Sequence, residues 1–156
     1  MKIMDFLNEK AIDVNLQSAD KEGVMDELLE LLVKAGTIKP KDKKGLFKVL
    51  MDREALGSTG IGQGIGIPHG KSNCVDKLVG AFGISPNGVD FDSLDGEPAH
   101  LFFLLITPED SAGPHLKALA RISRLLKNKF FREALVKAKS KKEAIDIISG
   151  EDRRLH

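Results

Sequence analysis

The sequence predicts an α/β protein, a three-layer α/β/α sandwich built around a mixed sheet. Three observations point there. His100 to Thr107 (HLFFLLIT) is a continuous apolar run, which suits a strand buried on both faces, so helices should cover both sides of its sheet. Helical and strand spacings follow one another in the order α-β-α-α-loop-β-β-α-α. Between the helical and strand halves lies a stretch so rich in glycine, Gly57 to Gly70, that it reads as neither a good helix nor a normal strand.

The elements follow in order. Ala11 to Gln17 alternates, with Ile12, Val14 and Leu16 against Asp13, Asn15 and Gln17, as a half-buried strand does. Ser18 or Asp20 can cap the next segment, where Val24, Met25, Leu28, Leu29, Leu31, Leu32 and Ala35 recur at helical spacing before Gly36 closes it. Lys39-Pro40 opens a second helix through Leu46, Val49 and Leu50 that ends near Gly57. Strand character resumes at Leu78 to Ser85, and Pro86-Asn87-Gly88 reads as a turn. After the apolar run, Gly113-Pro114 starts a helix with Leu116, Leu119, Ala120, Ile122 and Leu126 inward, and helices over Lys129 to Lys139 and Lys141 to Ile148 finish the chain.

Bulk composition narrows the function. At 156 residues, 42% hydrophobic and 30% charged, with no repeat or flexible linker, residues 1–156 are expected to form one domain. The formal charge of +1 argues against nucleic acid as the main partner, and the absence of Trp and Tyr against stacking on single strands. Met1 to Ile12 holds Asp5, Glu9 and Lys10 and lacks a signal peptide's apolar block, while Leu101 to Ile106 falls far short of the roughly 20 residues a membrane helix needs. The lone Cys74 permits no internal disulfide. The expectation is a soluble cytoplasmic protein without membrane insertion.

The glycine stretch imitates two phosphate motifs and fits neither. A P-loop ending in Gly70-Lys71-Ser72 would need glycine at Ile65, and the dinucleotide pattern starting at Gly60 also meets Ile65 where its last glycine belongs. What remains is His69 between Pro68 and Gly70. Proline fixes the entering backbone and glycine leaves room for a bulky partner to approach the ring. A neutral imidazole is a competent phosphoryl acceptor, and phosphoryl transfer otherwise needs positioning and charge stabilisation. Arg53 could grip phosphoryl oxygens bidentately, Ser58 and Thr59 are hydroxyl donors beside Gly60 in the same loop, and His115 sits near a helix start that favours an anion. Taken singly these residues read more blandly: His69 as a structural loop residue, Arg53 as a solvated helix residue, His115 as a polar first-turn residue. His100 should satisfy a local hydrogen bond at the start of its strand, and His156 is simply terminal. Asp90, Asp92 and Asp95 should shape a loop. The histidines have no cysteine or carboxylate at ligand spacing, so no metal is expected.

The string weighs more than its parts. Arg53-Glu54-Ala55-Leu56-Gly57-Ser58-Thr59-Gly60-Ile61-Gly62, followed by Gly64-Ile65-Gly66-Ile67-Pro68-His69-Gly70, resembles the active-site signature of enzyme IIA of the fructose, mannitol and nitrogen-regulatory family of the phosphoenolpyruvate-dependent phosphotransferase system. The resemblance continues through Gly88-Val89-Asp90-Phe91-Asp92, Phe103-Leu104-Leu105, Thr107-Pro108-Glu109 and His115-Leu116-Lys117-Ala118-Leu119-Ala120. One position departs, Gly66, where the family commonly has alanine. The resemblance implies a mixed five-stranded sheet flanked by helices, with no cofactor. It also implies that His69 carries the phosphoryl group on Nε2, with Arg53 and His115 beside it. The implied donor is a phosphorylated HPr-type carrier, or its nitrogen-branch counterpart. The implied recipient is a IIB domain in the metabolic branch or a controlled target protein in the regulatory one. The standalone length, the segment GVDFDSLDGEP and the helix HLKALARISRLL look more like the nitrogen-related branch. A binding module that has lost transfer is the third possibility, against which the joint retention of His69, Arg53 and His115 speaks.

Overall fold

The structure, a computed structural model, describes residues 1–155; the terminal His156 lies outside them. No α-helix precedes the first strand. Ile3–Asp5 is a single 3-10 turn, and β1 follows at Leu7–Asp13, earlier than the alternation over 11–17 implied. Helix α1 spans Lys21–Lys34. Of the two expected caps it uses Asp20, whose side chain accepts the Gly23 N–H, and Gly36 turns the chain away at φ +74°. Pro40–Asp42 forms a 3-10 turn that leads into α2, Lys43–Ala55.

The glycine stretch is more regular than its composition implied. It forms three short strands, β2 (Gly60–Gly62), β3 (Ile65–Gly66) and β4 (His69–Lys71). Gln63 and Gly64, at φ 58° and 80°, make the two-residue turn between β2 and β3, the left-handed pair that matches strand twist. Backbone pairing with a longer neighbour supplies the order that glycine propensity lacks. The Pro86-Asn87-Gly88 triplet does not turn the chain either. Strand β5 runs through it, Val79–Val89, and absorbs the irregularity as a break in register between Ile84 and Val89, with Gly88 at φ 80°. Strand β6 is Ala99–Thr107, and helices α3 (Ala112–Leu126), α4 (Lys129–Val136) and α5 (Lys141–Arg154) complete the chain.

All six strands join one mixed sheet ordered β1-β5-β6-β3-β2, with β4 also on β6, one strand more than the expected five. Strand β6 is antiparallel to β5 and parallel to both β3 and β4, which lie end to end along its other edge. Alternation along β6 divides the interior into two cores. Leu101, Phe103 and Leu105 pack with Ile122, Leu125, Leu135 and Ile148 of α3 to α5. Phe102, Leu104 and Ile106 pack with Val24, Leu28, Leu32 and Leu50 of α1 and α2. The sandwich therefore has the three layers that the apolar run demanded.

The chain ends are fastened to each other. The buried Asp152 accepts the Ile3 N–H at 2.6 Å and the Arg121 Nε–H at 2.6 Å, while Arg121 also donates to the carbonyls of Asp152 and Leu155. Because the carboxylate and the guanidinium satisfy several partners each, their desolvation is offset, as an isolated buried pair's would not be.

Phe103 is 1% exposed and stacks on Phe82 with ring centroids 4.7 Å apart. Phe103→Ala is expected to lower unfolding stability by about 3–5 kcal/mol. Urea denaturation with an unchanged slope checks it, and a loss under about 1 kcal/mol would mean that the centre of the sheet can collapse around the void.

Candidate active site

The C-terminal end of β6 assembles the site. Register pairs His69 with Leu105 and Lys71 with Thr107, so β4 carries the His69 ring to the end of the buried strand. The chain leaves β6 at Thr107 and returns in the first turn of α3, which delivers His115. The two imidazoles meet with centroids 5.3 Å apart, their planes tilted by 55°.

Each ring is oriented through Nδ1. His69 Nδ1 lies 2.7 Å from the Ile67 carbonyl oxygen. A carbonyl only accepts, so Nδ1 carries the proton and Nε2 holds the lone pair. His115 Nδ1 is 2.6 Å from the hydroxyl of Thr107, which is fully buried. Both rings hold protons less readily than ordinary histidine. For half-buried His69 the main cause is burial, reinforced by the Arg53 charge and opposed by the Ile67 bond and the Glu54 charge. For His115 burial again leads, followed by charge on His69 and Lys71. Both shifts favour the neutral ring, the state a nucleophilic nitrogen needs.

Arg53 stands in the last turn of α2, where its Nη1 donates to the Gly57 carbonyl at 2.7 Å. Its charge reaches His69, which places Arg53 in the neighbourhood of the two histidines. The loop hydroxyls are differently engaged. Ser58 Oγ donates to the Phe91 carbonyl and accepts from the Gly60 amide at 2.9 Å, while the Thr59 hydroxyl is bound to Glu54. Their protons are committed to building the loop. Gly60 and Gly70 are buried packing positions: a Cβ at Gly60 would stand 2.5 Å from Ser93 Oγ, and one at Gly70 only 2.7 Å from Val49 Cγ1. Gly70 therefore seats β4 on α2, instead of clearing a path to the ring. His100 lies at the other end of β6, its Nδ1 2.9 Å from the Ser85 carbonyl, the local bond expected of it.

Glu54 is the residue that sequence reasoning passed over. It is 8% exposed and accepts the Thr59 amide at 3.1 Å and the Lys21 ammonium at 2.8 Å. Lys21 also meets Asp92 at 3.1 Å and lies over the Phe91 ring. Thr59 in turn accepts the Ile67 amide at 3.0 Å, and Ile67 holds His69. Beside an arginine in a helix, one glutamate gave no signal. Thr107 did give one, as the polar residue that closes an apolar run.

The site is a surface, with its groups at the rim of the sheet. A cavity of about 620 Å³ beside Met4–Asn8 and Asn73–Val79 contains none of these residues. Among the described residues no cluster of three His, Cys, Asp or Glu could hold a metal ion, and no helix is long and apolar enough to cross a membrane.

Residues 5–151 match the family model described as "Phosphoenolpyruvate-dependent sugar phosphotransferase system, EIIA 2". The chain is 43% identical, over 98% of its length, to the fructose-specific EIIABC component of Bacillus subtilis, of which it spans 24%. It is 41% identical to a nitrogen regulatory protein of Bradyrhizobium diazoefficiens, over 82% of each. The crystal structure of nitrogen regulatory protein IIA-Ntr from Neisseria meningitidis superposes with a TM-score of 0.84 at 34% identity, covering 94% of this chain and 98% of that one. Fold and relatives define a phosphoryl-transfer component of an α/β type. The chain belongs to the EIIA type-2 family of the phosphotransferase system, which contains both sugar-specific and nitrogen-regulatory members.

Two outcomes test this geometry. Both histidines bind protons less readily folded than unfolded, so on acidification the unfolded chain gains protons first. Stability should be complete well above the ordinary value of 6.5 and decline as pH falls through it. Urea midpoints at about pH 7.5 and about pH 5.5 check this, with a shallower decline expected in His115→Gln. Glu54→Leu should cost about 2–3 kcal/mol, because it removes one of the two carboxylates on Lys21 and leaves the buried Thr59 donors unmet; a thermally unchanged variant would show that water replaces the carboxylate.

Proposed function

We propose that residues 1–156 act as one cytoplasmic carrier domain that accepts a phosphoryl group on Nε2 of His69 from a histidine-phosphorylated HPr-type protein and passes it on. The observation that carries this reading is the Nδ1–H bond to Ile67, which aims an unprotonated Nε2 outward beside His115. The Nε2 lone pair attacks phosphorus, the Nε2–P bond forms as the donor's N–P bond breaks, and the donor imidazole recovers its electron pair. His69 keeps its Nδ1 proton and becomes cationic, and the Ile67 carbonyl bond strengthens accordingly. Arg53 leaves Gly57 or shares its fork to hold the transferring oxygens, and the His115 ring supplies a further contact. Positioning and charge stabilisation are what this reaction asks of a protein.

The recipient in this reading follows the nitrogen-regulatory branch, where phosphorylation state controls binding to a target protein. The agreement with IIA-Ntr over 94% of the chain supports it. Transfer to a IIB domain for fructose or mannitol uptake is the second reading, supported by the 43% identity to a fructose-specific component.

Intact-protein mass spectrometry after incubation with phosphoenolpyruvate, enzyme I and either donor tests the carrier reading. Wild type should gain one acid-labile phosphoryl group, and His69→Ala none. Arg53→Ala should fold normally and accept phosphate roughly a hundredfold more slowly, the loss of a charge-stabilising contact. No gain of mass in wild type with either the sugar-branch or the nitrogen-branch donor would sink the reading.

A further inference from the structure

The near-neutral total conceals a divided charge. Lys117 to Lys142 contains ten Lys and Arg and a single acid, Glu133, a net of +9 in a chain whose total is +1, so the remainder carries −8. This basic segment is the outer layer formed by α3, α4 and the start of α5. The inward residues Ala118, Ile122, Leu125, Phe131 and Leu135 fill the core, while Lys117, Arg124, Lys127, Lys129, Lys137 and Lys139 are exposed. Arg121 is spent on Asp152, and Glu133 approaches Lys129 only to 3.8 Å. Among these cations Phe130 stands 80% exposed, with Leu116 65% exposed nearer the histidines. Neither the phosphoryl site nor the packing of the domain uses this face.

We propose that the outer face of α3 and α4 docks on an anionic lipid bilayer as a peripheral contact. Charge complementarity is the first argument, because cations near an anionic leaflet each add favourable energy and one exposed aromatic can enter the headgroup boundary. The kind of cation is the second. Lysine outnumbers arginine here and is depleted at protein–protein interfaces, whereas a fluid lipid surface lets long flexible lysines keep their water and rotamers. The shape is the third: outward helix faces with one protruding phenyl ring give a layer, without the paired aromatics that stack on nucleic acid. Arg124 lies nine residues beyond His115, roughly 13 Å along the helix, so the far end of the face stands clear of the histidines while Leu116 and Lys117 adjoin them. The inference does not depend on the phosphoryl reading.

Co-sedimentation of the full chain tests it, using vesicles of phosphatidylcholine alone and of an equal mixture with phosphatidylglycerol. Binding is expected only to the mixed vesicles at low salt, with release as salt rises. The triple variant Arg124→Gln, Lys127→Gln, Lys129→Gln should lower the partition coefficient about a hundredfold, about fivefold per cation. Its thermal transition and its phosphorylation by the donor protein should match wild type. Equal binding to neutral vesicles, or binding that the triple variant retains, overturns the proposal. So does indifference to anionic vesicles combined with binding to a DNA duplex or to polyglutamate, which would give the face to another polyanion.

Discussion

The rest of the molecule depends on one strand that is buried along almost its whole length. Strand β6 is buried on both faces, so its position is fixed by two separate cores at once, one under α3 to α5 and one under α1 and α2. A one-residue slip would exchange the rows that fill the two cores, each already packed against its own helices. Its C-terminal end is therefore a rigid reference point. His69 is referred to it by backbone pairing through β4, and His115 by the short connection from Thr107 into α3 and by the Thr107 hydroxyl. Two histidines 46 positions apart in sequence acquire a defined separation because both are measured from the same end of the same strand.

This explains which parts could be read from the sequence. The buried strand, the helices and the sandwich follow from apolar periodicity, except that α3 turns Leu116 and Ala120 outward and buries Ala118 and Leu125 instead, and Asp20, Gly36 and Pro40 mark boundaries by their local chemistry. The glycine stretch could not be read that way. Its three strands have almost no side chains to show a period, and they exist because β6 offers an edge to pair with. For Pro86-Asn87-Gly88 the local turn preference lost to a ladder already running on both sides of it, leaving a bulge in place of a reversal. In the site, His69, Arg53 and His115 were legible through their chemistry and the family signature. Glu54 was not, since its meaning depends on Thr59 and Lys21, which the fold alone brings within reach. Ser58, Thr59, Gly60 and Gly70 lie in the loop that the glycine density marks, and the structure gives them the work of shaping it.

The polar interior between α1, α2 and the glycine loop has its own logic. A buried glutamate next to Arg53 could simply have paired with it. Instead Glu54 is neutralised by Lys21, arriving from another helix, and Arg53 is left turned toward Gly57 at the surface. Two positive and one negative charge are thus sorted by depth, with the inner pair holding the loop and the outer guanidinium available. The arrangement also gives the loop rigidity that six glycines in fourteen residues would otherwise deny it.

The bond between the His69 ring and the Ile67 carbonyl has a consequence for the transfer proposed above. The proton on Nδ1 is the same before and after the phosphoryl group arrives, because a carbonyl offers it nowhere to go. Loading then exchanges one electrophile between two imidazoles, with no hydrogen ion taken from or returned to solvent. Such a step runs with comparable ease in either direction. The molecule would report the balance between its donor and its recipient, and would not commit the phosphoryl group to one fate.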